Sequence, residues 1–151
     1  MNRRADPPTD HDWLVDDVEV VRQYGSQVPE AFGGVYFDND PPITVVALFT
    51  RRMDEHEATL RVRVKHPDRL VVRLTAKSWQ AIERDTATVV DKLLIGHRQP
   101  RVWGVGIGLH EGHFVVKVDI SPYSVAAAER IAALVHPIEV RLQKGGPVRL
   151  R

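Results

Sequence analysis

The chain has 151 residues, 43% of them apolar and 27% charged, with a net charge of +1 and no cysteine. That length and composition fit one globular domain, and the balanced charge gives no overall attraction to nucleic acid or an acidic membrane. Without cysteine there are no disulfides, thiolate metal sites or thiol nucleophiles.

Residues 1–11 are polar, with Pro7-Pro8, and are expected to be flexible. They include two arginines but no apolar signal-peptide core, and no apolar run in the chain reaches the roughly 18 residues of a membrane helix. Cytoplasmic residence is therefore expected. A helix is predicted to start at the N-cap Asp12, to place Leu14, Val18 and Val21 on one face, and to end at Gly25.

Two β-rich runs follow, "GGVYFD" (33–38) and "ITVVALFT" (43–50), around the turn-forming "DNDPP". They read as a hairpin. A second hairpin comprises "VWGVGIG" (102–108), the turn "LHEGH" and "FVVKVDI" (114–120). A constant shift of 70 residues takes Gly34 to Gly104, Val35 to Val105, Val45 to Val115, Val46 to Val116 and Leu48 to Val118. It also takes His66-Pro67 to His136-Pro137, so the chain reads as two copies of one unit.

The repeat settles the stretch "LRVRV" (60–64), whose alternation resembles a strand. In the second copy the matching region is "SPYSVAAAERIAALV", with Ser121 as predicted N-cap and Pro122 at the first helical position. Val125, Ala128, Ile131, Ala132 and Val135 make its apolar face. Met53, His56, Leu60 and Val64 repeat that periodicity, so a helix is expected at 53–64. Each His-Pro pair would stop its helix, with the histidine favoured near the C-terminal dipole. A further helix is predicted from the N-cap Ser78 to Ile95, with Trp79, Ile82, Val89 and Leu93 on one face and Gly96 at its exit. It is read as a connector between the copies.

The expected fold is α+β: two β-β-α-β repeats at about 32–74 and 102–142, joined by the helix at about 78–95, with sheet packed against helices. One domain over 12–142 and a flexible tail over 143–151 complete it. The three tryptophans are expected in the core.

With that pattern in view, "FGGVYFDNDPPITVVALFT", "DEHEATLRVRVKHPDRLVVRL" and "SWQAIER" resemble a small domain of unknown function common in actinobacteria. They are similar, more distantly, to the pro-region of α-lytic and streptogrisin-type bacterial serine proteases. The resemblance covers roughly residues 24–95 and echoes in 102–142. It implies a folding assistant and inhibitor whose C-terminal tail occupies the protease cleft. Here that tail is "GGPVRLR", ending in Arg149, Leu150 and Arg151.

Chemical motifs are sparse. His110, Glu111 and His113 offer metal-ligating atoms, with His97 or Asp119 as further donors, but the helical zinc motif H-E-x-x-H sets its histidines four positions apart, and here the spacing is one short. Asp38 and Asp40, with Asn39 between, offer oxygens for Ca²⁺, yet Asp, Asn and Pro are also the ordinary turn formers. The glycines at 33–34 and 104–108 lie inside predicted strands and match neither phosphate-loop nor dinucleotide patterns. No serine sits in a nucleophile elbow. The basic residues Arg51, Arg52, Arg61, Arg63, Lys65, Arg69 and Arg73 alternate with acids, as on a solvated face, and lack the aromatic interleaving of RNA binders. The reading is a non-catalytic module without a cofactor, binding a protein partner or a second copy of itself through a sheet edge. A protease inhibitor and a metal-dependent enzyme using the hairpin loops are the alternatives.

Overall fold

The computed structural model describes residues 12–93 and 100–145. The chain forms two compact units, Met1–Ser78 and Trp79–Arg151. Its class is α+β, with four α-helices and two three-stranded sheets among the described residues. No described helix is long and apolar enough to cross a membrane.

In the first unit a 3-10 turn, Asp12–Leu14, leads into α1 (Val15–Gln27). Strand β1 (Phe32–Asp38) pairs antiparallel with β2 (Thr44–Phe49), and α2 (Met53–Arg63) carries the chain to β3 (Leu70–Leu74), parallel to β2. A parallel neighbour needs such a crossover, whereas the antiparallel pair needs only a turn. "LRVRV" is helical through Arg63, as the periodicity predicts. Leu14 of the 3-10 turn, Val18 and Val21 of α1, Leu60 of α2 and Val64 just after it close on Val45, Ala47 and Phe49 of β2.

The second unit repeats this order. Helix α3 (Trp79–Leu93) precedes β4 (Arg101–His110), β5 (His113–Ser121), α4 (Val125–Val135) and β6 (Val140–Lys144). Its strand order is β4-β5-β6, with the same pairing senses as the first sheet. Helix α3 packs on β4, β5 and α4, as α1 packs on β1, β2 and α2. The predicted connector is thus the opening helix of the second unit, and each unit is α-β-β-α-β. The predicted Ile95 end and Gly96 exit lie outside the described residues.

Ladder register refines the 70-residue shift. Both sheets carry an irregularity 70 residues apart, between Phe32 and Gly34 and between Val102 and Gly104. Gly34 faces Leu48, however, while Gly104 faces Asp119; Val45 faces Leu70, while Val116 faces Val140. The first and third strands correspond at 70, but β2 and β5 correspond at 71. Val45, Ala47 and Phe49 therefore match Val116, Val118 and Ile120, and these are the core residues of the second sheet. The same step pairs His56, Leu60 and Val64 with Ala127, Ile131 and Val135, the buried faces of the two helical segments. A one-residue slip reverses every side chain of a strand, so the unshifted Val matches join opposite faces.

Other local expectations change for identifiable reasons. Ser121 is held in the ladder opposite Arg101, and Ser124 caps α4 instead, accepting the Ala127 N–H at 3.0 Å. Val125 is consequently 68% exposed. Helix α1 runs past Gly25, which is buried because the Phe32 ring lies against its Cα. Gln143 and Lys144 belong to β6, and the Gly145 N–H donates to the Ile120 carbonyl at 2.9 Å, so the ordered chain extends beyond Leu142. The expectations for residues 1–11 and 146–151 fall outside the described residues.

Candidate functional site

Three constellations are built by the fold. Two lie in the first unit and involve side chains far apart in sequence. Asp17 of α1 is a buried carboxylate. It accepts the backbone N–H of Lys65 at 2.8 Å, the backbone N–H of His66 at 3.1 Å and the His66 Nδ1–H at 2.9 Å. Trp13 meets His66 edge-on at 4.7 Å between ring centroids, and the Arg69 guanidinium lies 5.6 Å from the Trp13 ring. The carboxylate thus holds the chain as it leaves α2 and enters the Pro67–Arg69 turn. His66 serves this clamp rather than the C-terminal dipole of α2, which ends at Arg63. In the second copy α4 does end immediately before His136, whose peptide bond to Pro137 is cis.

The second constellation surrounds His56. Its ring stacks on Phe49 at 4.3 Å and 17°, and its Nδ1 is joined to the Tyr24 hydroxyl by a 2.6 Å hydrogen bond. Burial holds its pKa below the ordinary 6.5. Its buried Nε2 has no hydrogen-bond partner among the described residues. The matching position in the second unit is Ala127, which fills the same place in its core. His56 and Ala127 thus occupy equivalent buried positions, and only the histidine brings a ring that stacks and hydrogen-bonds there. The hydroxyl that His56 meets is the Tyr24 phenol, and the group that His66 meets is the Asp17 carboxylate.

The third is β4. Between Arg101 and His110 it reads "VWGVGIGL", with no charge and no proline. Val102, Val105 and Ile107 pack against the second core. Gly104, Gly106 and Gly108 take the other pleat; the space above Gly106 is open, while the Lys117 side chain lies over Gly108. The irregularity at 102–104 turns Trp103 outward to 39% exposure, against the core position predicted for it. Arg101 stacks on that ring at 4.2 Å. Leu109 is similarly exposed at 38%.

The hairpin turn fixes which backbone groups of β4 face outward. Glu111 and Gly112 have φ of 50° and 79°, the left-handed pair of a two-residue I′-type turn closed by His110 and His113. The closing pair of such a turn exchanges both hydrogen bonds, and the ladder then alternates. His110, Gly108, Gly106 and Gly104 therefore bond to β5. The N–H and C=O groups of Leu109, Ile107 and Val105 point away from it. Among the described residues no strand lies beyond β4.

The sequence-predicted metal ligands serve turns. His110 and His113 close the β4–β5 hairpin, and Glu111 lies 3.8 Å from the His110 ring. Asp38 ends β1 and accepts the Asp40 N–H at 3.1 Å, an Asx-type turn contact. Among the described residues no three His, Cys, Asp or Glu side chains gather as a metal ion requires. His97 and the tail residues Arg149, Leu150 and Arg151 lie outside those residues. Several of the basic side chains engage neighbouring acids: Arg61 with Glu57 at 2.6 Å, Lys65 with Asp16 at 2.8 Å, Arg51 with Glu30 at 3.6 Å.

Sequence reasoning missed Asp17, Tyr24 and Trp103 as site residues. Asp17 had a readable signal, since it interrupts the Leu14-Val18-Val21 stripe and an acid there needs a buried partner. No family model matches the chain, and no curated protein matches it.

Proposed function

We propose that this chain is a non-catalytic protein-interaction module that accepts an extended strand on the outer edge of β4. The observation that supports the reading is the unguarded edge itself. Natural sheets blunt their edges with short strands, charges or proline. Strands β3 and β6 are five residues each and carry Arg73, Arg141 and Lys144. Strand β4 has ten residues and an uncharged interior. An added strand would gain main-chain hydrogen bonds from Val105, Ile107 and Leu109, while Trp103 and Leu109 offer apolar contacts for its side chains. The reading includes cytoplasmic residence, which the composition led us to expect.

Catalysis is the weaker reading because the two internal imidazoles have structural work. His66 completes the Asp17 clamp, and His56 fills a core position. The test is amide hydrogen exchange by NMR on dilute, monomeric protein. The Val105 and Ile107 amides are expected to exchange much faster than those of Gly104, Gly106 and Gly108, which bond to β5. Equal, strong protection of all five would mean that the edge is already covered, and the reading would fall.

A further inference from the structure

We infer that the strand accepted by β4 is an antiparallel peptide segment of the form acid-x-aromatic-x-base, whose alternate side chains stand over Gly108, Gly106 and Gly104 in that order. This rests on the edge-acceptor reading above and names the chemistry of the partner. The register runs only from Gly104 to Gly108, where the ladder to β5 is unbroken. There Gly104 faces Asp119, Gly106 faces Lys117 and Gly108 faces Val115. The three glycines make a floor with no side chains of its own, so the groups standing at its ends come from β5. Lys117 leans one pair along from its own partner Gly106: a methyl placed on Gly108 would lie 3.2 Å from the Lys117 Nζ. Among the described residues that ammonium has no acidic partner. At the other end, a methyl on Gly104 would lie 3.5 Å from the Asp119 Oδ2, while the Asp119 Oδ1 accepts from the Gln143 Nε2. Nothing lies above Gly106 within 4 Å. Along β4 the floor therefore presents an anion, an open gap and a cation.

The backbone phase brings a guest strand onto this floor. Val105 and Ile107 carry the outward N–H and C=O groups, so the glycines between and beside them fall in the non-hydrogen-bonded pairs. Opposing side chains approach most closely in such pairs, and residues directly opposite point to the same face. An antiparallel guest meets Gly108 first, where a carboxylate reaches the Lys117 ammonium. Two residues on, an aromatic ring opposite Gly106 fills the gap and covers the bare backbone, as aromatic neighbours do for glycines in sheets. Two residues further, a lysine or arginine reaches the Asp119 Oδ2. The intervening guest residues oppose Ile107 and Val105, whose side chains take the core-facing pleat, and β-branched apolar residues suit them.

The test is an NMR titration of the isotope-labelled chain with a capped synthetic peptide, Ser-Glu-Val-Phe-Val-Lys-Ser, to millimolar concentration, with amide exchange alongside. Signals of residues 104–108 should shift, and exchange at Val105 and Ile107 should slow. Alanine in place of the peptide phenylalanine should weaken binding about threefold, the scale of a cross-strand aromatic pair. Lysine in place of its glutamate should weaken binding about fivefold, the scale of an exposed ion pair turned repulsive. The peptide with its order reversed, Ser-Lys-Val-Phe-Val-Glu-Ser, should also bind more weakly. Lys117→Glu should reverse the preference at the first position, so that the lysine-for-glutamate peptide binds this variant better than the original does. Gly106→Val has room for its side chain and should erase the preference for phenylalanine over alanine. Circular dichroism should confirm that both variants are folded.

Edge binding that is indifferent to the peptide's charges, ring and direction would overturn this motif and leave the acceptor edge standing. So would a lack of any shift at 104–108 while the Val105 and Ile107 amides exchange fast. Protection of those amides before any peptide is added would overturn both.

Discussion

Replacing Asp17 by alanine tests the clamp between α1 and the end of α2 most directly. The carboxylate accepts three hydrogen bonds, two from consecutive backbone amides and one from an imidazole. Bonds to a charged acceptor contribute about 1.5–3 kcal/mol each, and removing one partner of a buried charged group costs about 3–5 kcal/mol. His66 is one-third exposed, so water recovers part of its bond. Alanine also gains a few tenths of a kcal/mol in helix propensity. The expected loss is about 3–4 kcal/mol for Asp17→Ala and roughly half that for Asp17→Asn, which keeps one acceptor oxygen. The assay is urea unfolding followed by Trp13 fluorescence in a Trp79→Phe/Trp103→Phe background, since Trp13 touches His66. If Asp17→Ala leaves the first unit too unstable to measure, Asp17→Asn supplies the midpoint. A loss below about 1 kcal/mol for alanine would refute the clamp, because that is the scale of an ordinary neutral hydrogen bond.

His56 makes the first unit acid-sensitive. Its folded pKa lies below the unfolded 6.5, so the unfolded chain binds the extra proton. Its contribution to stability is complete above about 6.5 and falls as pH drops through that value, until the folded form itself protonates. His56→Leu should flatten the pH dependence of the melting temperature between 7 and about 5 relative to wild type. Gly25→Ala should destabilise by about 1–3 kcal/mol in thermal unfolding, because the added methyl meets the Phe32 ring and outweighs the helix-propensity gain. Stabilisation would show that the ring moves freely. Gly34→Ala should cost about 1–2 kcal/mol, since Gly34 has φ 112°, while Gly104→Ala should be near neutral, its new methyl lying 3.5 Å from Asp119. Equal costs would refute the difference between these sequence-matched glycines.

What the sequence determined by itself was local and periodic. The α2 segment was legible against its strand-like "LRVRV" because apolar spacing at 53–64 and the alanine-rich second copy both point to helix. The hairpins were legible from turn chemistry, and the α+β class followed from the order of elements. Only the tertiary structure decided what depends on register and on distant partners. A strand presents opposite faces at successive residues, so repeated valines cannot reveal whether β5 matches β2 at 70 or 71; the ladder to the flanking strands decides it. Trp103 faces outward because an irregularity in pairing, not its own hydrophobicity, sets its side. Helix α3 belongs with β4 and β5 because of the core it covers, although its position in the chain suits a connector equally well. Asp17 and His66 are 49 residues apart, and the edge of β4 is an edge only because β5 chose β6 as its other neighbour. Such choices maximise burial and backbone pairing over a whole unit, and no local window of residues contains them.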